Sequence, residues 1–179
     1  MIPKTIPTAL CILISFPLSA HVLTTFDGEE DDISWRVVND NVMGGRSDGG
    51  FELATGSLLF KGSTNTRGGG FSSIRSVPKA LSLPENSAGF ELSQKGDGRT
   101  YIFRAETSDG VAYWADFPTT EEWGVAQVPF TRFKPRLRGR FLSGPELDYT
   151  KIVSIGLMIY DGQDGEFTLE VDWIGVYSQ

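Results

Sequence analysis

Four groups of residues in this chain have the types and spacing to do chemistry. Asn39-Asp40-Asn41 followed by Gly44-Gly45 sets three short polar side chains ahead of two residues free to take positive φ. Consecutive amides in such a turn can converge on an anion or a carbonyl, so Asp40, Asn41, Gly44 and Gly45 are candidate binding residues; the same composition also marks a purely structural turn. Arg75, set among serines, is a second candidate, with Asp40 as the carboxylate for a bidentate pair, or else a solvated cation. Trp114 beside Asp116, with Trp123 beyond, resembles the equipment of a sugar-binding sheet, where a ring covers the apolar face of a pyranose and a carboxylate takes its hydroxyls. Tyr101 and Tyr113 could join that face, and the alternative is that all these rings are packing. Finally, Asp27 and Glu29 belong to an acidic run, and Asp161 and Asp164 to a later turn, oxygen ligands of a kind suited to a structural Ca²⁺. The run lacks the spacing of an EF-hand loop, which leaves a solvated acidic loop as the other reading.

Other chemistries fail on composition. Acyl transfer by a Ser-His-acid set needs a positioned imidazole, and the only histidine is His21. The only cysteine is Cys11, so neither a zinc set nor a thiol nucleophile can be assembled from the body of the chain. Gly68-Gly69-Gly70 has no Gly-Lys-Ser/Thr ending and is not a phosphate loop. No pair of carboxylates is singled out for glycoside hydrolysis, and no cofactor motif is present. A binding protein is expected rather than an enzyme. The formal net charge of -7 repels a phosphate backbone and argues against nucleic acid. Against that acidic background, Arg132, Lys134, Arg136, Arg138 and Arg140 alternate with Phe, Pro and Leu between Phe130 and Phe141. The Pro and Gly there predict a loop, which either grips an acidic partner or balances the field internally.

The elements that must position these groups read as strands. Aromatics make up 12% of the chain and 21 glycines separate short apolar runs, a profile that predicts an all-β domain over residues 21–179. Residues 1–20 read instead as a cleaved signal peptide, with Lys4, an apolar stretch from Ala9 to Phe16 and the small residues Ser19-Ala20. An exported protein is therefore expected, periplasmic or secreted, without stable membrane insertion; the alternative is an organelle or a membrane anchor through an uncleaved leader. Trp35 to Val38 forms a strand that stops at the Asx cluster. Ala88–Ser93 and Arg99–Glu106 read as a hairpin, and Asp109-Gly110 turns the chain into a strand with Val111, Tyr113, Ala115 and Phe117 inward and Trp114 and Asp116 outward. Ile152–Tyr160 is apolar enough to be a central strand, and the stretch from Glu166 alternates so as to bury Phe167, Leu169, Val171 and Trp173.

The run W-x-V-V-N-D-x-V-M-G-G-x-S from Trp35 to Ser47 resembles the signature of the family named for NADH:ubiquinone oxidoreductase complex I intermediate-associated protein 30. Gly69-Gly70-Phe71-Ser72-Ser73-Ile74-Arg75, Gly96-Asp97-Gly98-Arg99-Thr100-Tyr101, Val128-Pro129-Phe130 and Ile155-Gly156-Leu157-Met158-Ile159 follow in the same order. The resemblance covers most of the chain from about Phe26 to Ile174. It implies an antiparallel jelly-roll β-sandwich of the galactose-binding-domain-like type, without established catalytic residues. It also implies an assembly or chaperone-like scaffold for a protein partner, while the fold itself leaves a carbohydrate-binding module as the alternative.

Overall fold

The computed structural model describes residues 21–27, 33–54, 56–137 and 140–178. Residues 1–20, Glu29 with the acidic run beyond Asp27, and Arg138 lie outside the described residues.

Thirteen strands form two antiparallel sheets, and no α-helix occurs among the described residues. They run β1 (His21–Thr24), β2 (Trp35–Asn39), β3 (Asp48–Ala54), β4 (Ser57–Thr64), β5 (Ser72–Ser76), β6 (Ser87–Lys95), β7 (Thr100–Thr107), β8 (Ala112–Pro118), β9 (Gly124–Pro129), β10 (Lys134–Leu137), β11 (Arg140–Phe141), β12 (Ile152–Ile159) and β13 (Gly165–Ser178). One sheet has the order β3-β4-β13-β6-β9, with β1 against the far half of β13; the other has the order β11-β10-β8-β7-β12-β5-β2. This is the jelly-roll sandwich that the sequence implies.

Alternation decides what lies between the sheets. Phe90 and Leu92 of β6, Phe103 and Ala105 of β7, Tyr113, Ala115 and Phe117 of β8, and Phe167, Leu169 and Val171 of β13 are all buried, because apolar residues two apart share one face of a strand. Phe90 and Phe103 stack across the layers at 4.4 Å between centroids. Tyr101 and Tyr113, expected as contributors to a sugar-binding face, belong to this core instead.

Three expectations about elements need correction. The segments around Phe90 and Phe103 are not a hairpin: β6 and β7 lie in different sheets, so residues 96–99 carry the chain across the sandwich. The basic segment is not a loop, because Lys134–Leu137 pairs with β8 on one side and with Arg140–Phe141 on the other. In β13 a bulge between Val171 and Trp173 shifts the register, so Ile174 takes the inward place expected for Trp173.

The crossing at residues 96–99 is fastened by one guanidinium. Arg99 meets both oxygens of Asp161, from Nε at 2.9 Å and from Nη2 at 2.6 Å. It also donates to the carbonyls of Gln163 and Glu166 at 3.0 and 2.9 Å and to the Thr64 hydroxyl at 3.1 Å. Asp97 completes the clasp by accepting from the Thr168 amide at 2.8 Å and the Tyr101 hydroxyl at 3.1 Å. Burial alone would raise the Asp161 pKa, but the Arg99 donors outweigh it and hold the carboxyl below its usual value. The Gly-Asp-Gly-Arg-Thr-Tyr motif is thus the joint between β12 and β13, the two strands that belong to opposite layers. The Arg99→Met variant leaves a mostly buried carboxylate uncompensated and is expected to lose about 3–5 kcal/mol, read as a lower urea midpoint; adding Asp161→Asn should recover part of the loss.

Candidate functional site

The Asx-glycine corner folds as a 3-10 turn over Asp40–Met43, closed by Gly44 at φ 83°. Asp40 is fully buried. Its Oδ1 accepts the Ser47 amide at 2.9 Å, and its Oδ2 accepts both the Ser47 hydroxyl and the Gly70 amide at 2.6 Å. The Asp40 amide donates to the Phe71 carbonyl at 3.2 Å. A Cβ on Gly45 would stand 2.2 Å from the Asp40 Cγ and one on Gly69 2.4 Å from its Oδ2, which is why both positions carry glycine. The amides of Gly44 and Gly45 are spent on the carbonyls of Asn41 and Asp40. The anion that occupies this nest is therefore the chain's own carboxylate. Asp40 does not pair with Arg75, whose Nε donates to the Ser73 hydroxyl at 3.2 Å, and the Asn41 side chain is exposed. Neighbouring Asn39 ties the two sheets together, donating to the Gly49 carbonyl of β3 at 2.9 Å and accepting from Ser72 of β5 at 2.6 Å.

The turn so fixed holds Val42 and Met43 out at one rim of a cavity of about 280 Å³ on the outer face of the seven-stranded sheet. Its floor follows from strand register. Arg36, Arg75, Gly156, Arg104, Trp114 and Lys134 stand directly opposite one another across β2, β5, β12, β7, β8 and β10. Directly opposed residues of antiparallel strands share a face, so this row points away from the core. Gly156 contributes no side chain between the two arginines, and a Cβ there would stand 2.6 Å from the Ile74 carbonyl oxygen and 3.3 Å from the Arg75 Cγ, so the stem of Arg75 packs against this bare backbone. Of these, Arg75, Arg104 and Trp114 line the cavity together with Arg136. Tyr160 and Phe71 form a wall: Tyr160 meets Trp114 edge-on at 6.3 Å and Phe71 at 6.2 Å, and Arg136 lies 5.0 Å from the Trp114 ring and 3.1 Å from the Phe141 ring.

Electrostatics single out this face. Arg104 is only 5% exposed and pairs with Glu106, two residues along β7. Burial, with the Arg104 and Arg36 guanidiniums beside it, pulls the Arg75 guanidinium down to about 10, against a partial pull upward from Glu106. Burial likewise lowers Arg136. Nη1 of Arg104 and Nε1 of Trp114 are shielded from solvent with no acceptor. Unmet buried donors are costly, and these two sit on adjacent strands beside one cavity.

The remaining candidates scatter. Asp116 is exposed on the same outer face, two residues from Trp114 along β8, and Trp123 is exposed in the β8–β9 connection, outside the residues lining the cavity. Asp161 is engaged by Arg99, and Asp164 accepts the Thr66 amide at 2.6 Å. Asp27 lies instead by Gly56, at the other end of β4 from Thr64 and Thr66, and so apart from Asp164. Among the described residues no group of three or more His, Cys, Asp or Glu gathers as a metal site. Sequence reading missed Arg104, Arg36 and Gly156. Their signal was an Arg or Gly at an outward position of otherwise apolar strands.

Fold and site together define an antiparallel jelly-roll β-sandwich with a cationic, aromatic-walled pocket on the outer face of one sheet. The chain belongs to the complex I intermediate-associated protein 30 family, whose model matches residues 24–171. It is 27% identical to the mitochondrial complex I intermediate-associated protein 30 of Mus musculus, over 89% of this chain and 56% of that protein. With the Drosophila melanogaster protein of the same name it shares 26% identity, over 92% of this chain and 65% of the relative. The chain thus spans between half and two thirds of these relatives' length. Among solved structures, a family 11 carbohydrate-binding module from Clostridium thermocellum, in complex with a β-1,3-1,4-mixed-linked tetrasaccharide, superposes with a TM-score of 0.65. That match is 17% identical and covers 91% of this chain and 98% of the module. The expectation of an exported protein is corrected by the relatives, which are named mitochondrial. No helix among the described residues is long and apolar enough to cross a membrane.

The buried Asp40 gives a signed pH dependence. Burial opposes its charge, yet the Ser47 hydroxyl and the Gly70 and Ser47 amides outweigh that, and its pKa lies below the usual 3.8. Its contribution is therefore complete above about pH 3.8 and lost as pH falls through the lower folded value. Asp40→Asn is expected to cost roughly 2–4 kcal/mol at neutral pH, and its acid-unfolding curve should converge on the wild type's below that window.

Proposed function

We propose that this chain is a non-catalytic scaffold that holds a protein partner during the building of respiratory complex I, in mitochondria as the names of its relatives suggest. The observation that carries this reading is the rim of the pocket. Val42, Met43, Phe141 and Tyr160 are all exposed on or beside the outer face of the seven-stranded sheet, Phe141 at 70%. Large apolar side chains gathered around a depression are what a protein interface presents before its partner arrives. The described residues lining the pocket are guanidiniums, aromatics and apolar side chains, a composition suited to holding a partner. Membership of a family named for assembly intermediates supports the same reading.

The carbohydrate alternative has the shared sandwich behind it, with Trp114 and Asp116 on one face. Against it, the Trp114 ring is a half-buried wall held edge-on to Tyr160 and near Arg136, rather than an open platform, and Trp123 stands apart.

Cross-linking capture from mitochondria separates the two. Wild type should retain complex I assembly intermediates, the surface variant Met43→Asp/Phe141→Asp should lose most of them while keeping its melting midpoint, and a glycan array should stay blank. Equal capture by both proteins, or glycan binding lost in Trp114→Ala, would remove the scaffold reading.

A further inference from the structure

The outer face of the seven-stranded sheet runs against the charge of the molecule. The chain has a formal net charge of -7, yet this face gathers Arg36, Arg75, Arg104, Lys134 and Arg136. Glu106 and Asp116 are the carboxylates among the outward positions of these paired strands, and Glu106 is already engaged by Arg104. Surplus cations sunk in a pocket repel one another unless an anion joins them. The two donors without acceptors, Arg104 Nη1 and Trp114 Nε1, sit on residues directly opposed across β7 and β8. Both are N–H groups, so the missing group is an acceptor. Arg75 and Arg104, on either side of Gly156 in the register, both line the cavity, so a planar two-oxygen group entering it meets two guanidiniums. Beside it, Phe71, Met158, Trp114 and Tyr160 offer an apolar wall, and Met43 and Phe141 extend it outward.

We propose that this pocket receives an acidic peptide segment of the partner protein, with an Asp or Glu carboxylate between Arg75 and Arg104 and an adjoining bulky apolar side chain against Trp114 and Tyr160. The proposal rests on the scaffold reading and names what the partner must present. A peptide, rather than a free small acid, follows from the apolar rim, which continues past the cavity onto Val42, Met43 and Phe141 and would stay wet around a small ligand.

The test is panning a phage library of random short peptides on immobilised wild type and on Arg75→Gln/Trp114→Phe. Arg75→Gln keeps a donor for the Ser73 hydroxyl, and Trp114→Phe removes the indole N–H while keeping an aromatic ring, so both should fold; matched melting midpoints confirm it. Wild type is expected to enrich peptides with Asp or Glu beside Leu, Phe or Met, and the double variant is not. By fluorescence anisotropy, replacing that acid by its amide in the enriched peptide should weaken binding at least tenfold, about 1.4 kcal/mol. Enrichment without acids, no enrichment, or equal binding of acid and amide would overturn the proposal. So would free glucuronate competing as well as the peptide, which would assign the pocket to a small acid. Rim-dependent capture of assembly intermediates together with equal acid and amide binding sinks this proposal alone; acid-selective peptides without any captured intermediate sink the scaffold reading alone.

Discussion

A fully buried carboxylate, with three donors converging on its two oxygens, holds together the part of the molecule on which the pocket depends. Asp40 joins residues far apart in sequence: Ser47 leads into β3, and Gly70 leads into β5, so one side chain fixes the entry to a strand in each sheet. The Ser47 hydroxyl that donates to Asp40 also accepts from the Asn65 amide at 3.0 Å, which extends the network to the end of β4. A buried charge is tolerable only when it is hydrogen-bonded in this way, and the arrangement leaves no room for a side chain at Gly45 or Gly69. The family signature is therefore a description of one cavity filled by one carboxylate. Its bearing on function is indirect but definite: the turn it clamps carries Val42 and Met43 to the rim of the pocket.

The sheet under the pocket shows a second economy. Ile74, Ile155, Leu157, Phe103, Ala105, Tyr113 and Ala115 face inward and fill the core, while Arg75, Arg104 and Trp114 stand at outward positions one residue away. Register then sets the cations side by side without any loop. A site built on the middle strands of a sheet is positioned by backbone hydrogen bonds on both sides, which is stiffer than one borne on loops. The acidic Asp161, by contrast, is neutralised within the fold by Arg99, so the two charge-rich regions differ in place: one closes the sandwich and the other lies on the outer face of a sheet.

The fold was legible because period-two alternation of aromatic and β-branched residues survives in almost every strand, and because the motifs of the family occur in order. Sequence fails where pairing is not local. Phe90 and Phe103 flank a turn-like Gly-Asp-Gly, and only tertiary structure shows that the turn spans two layers. The inward place of Ile174 depends on a bulge, which alternation alone cannot reveal. Asp40 and Arg75 are singled out by their motifs, but each satisfies a different neighbour. Trp114 was placed outward correctly, whereas Arg104 passed unnoticed because a lone arginine inside Tyr-Ile-Phe-Arg-Ala reads as an accident until strand register sets it across Gly156 from Arg75.

The way β12 and β13 part company has a consequence for how the chain reaches this shape. β13 pairs with β4 and β6 while β12 pairs with β5 and β7, so each layer is woven from segments taken alternately along the chain. Neither layer can close before distant stretches have met, and the loop-closure entropy must be met before the apolar interior repays it. Pairing so distant along the chain favours slow folding over fast, and a cut between β6 and β7 would leave strands of both layers without their neighbours.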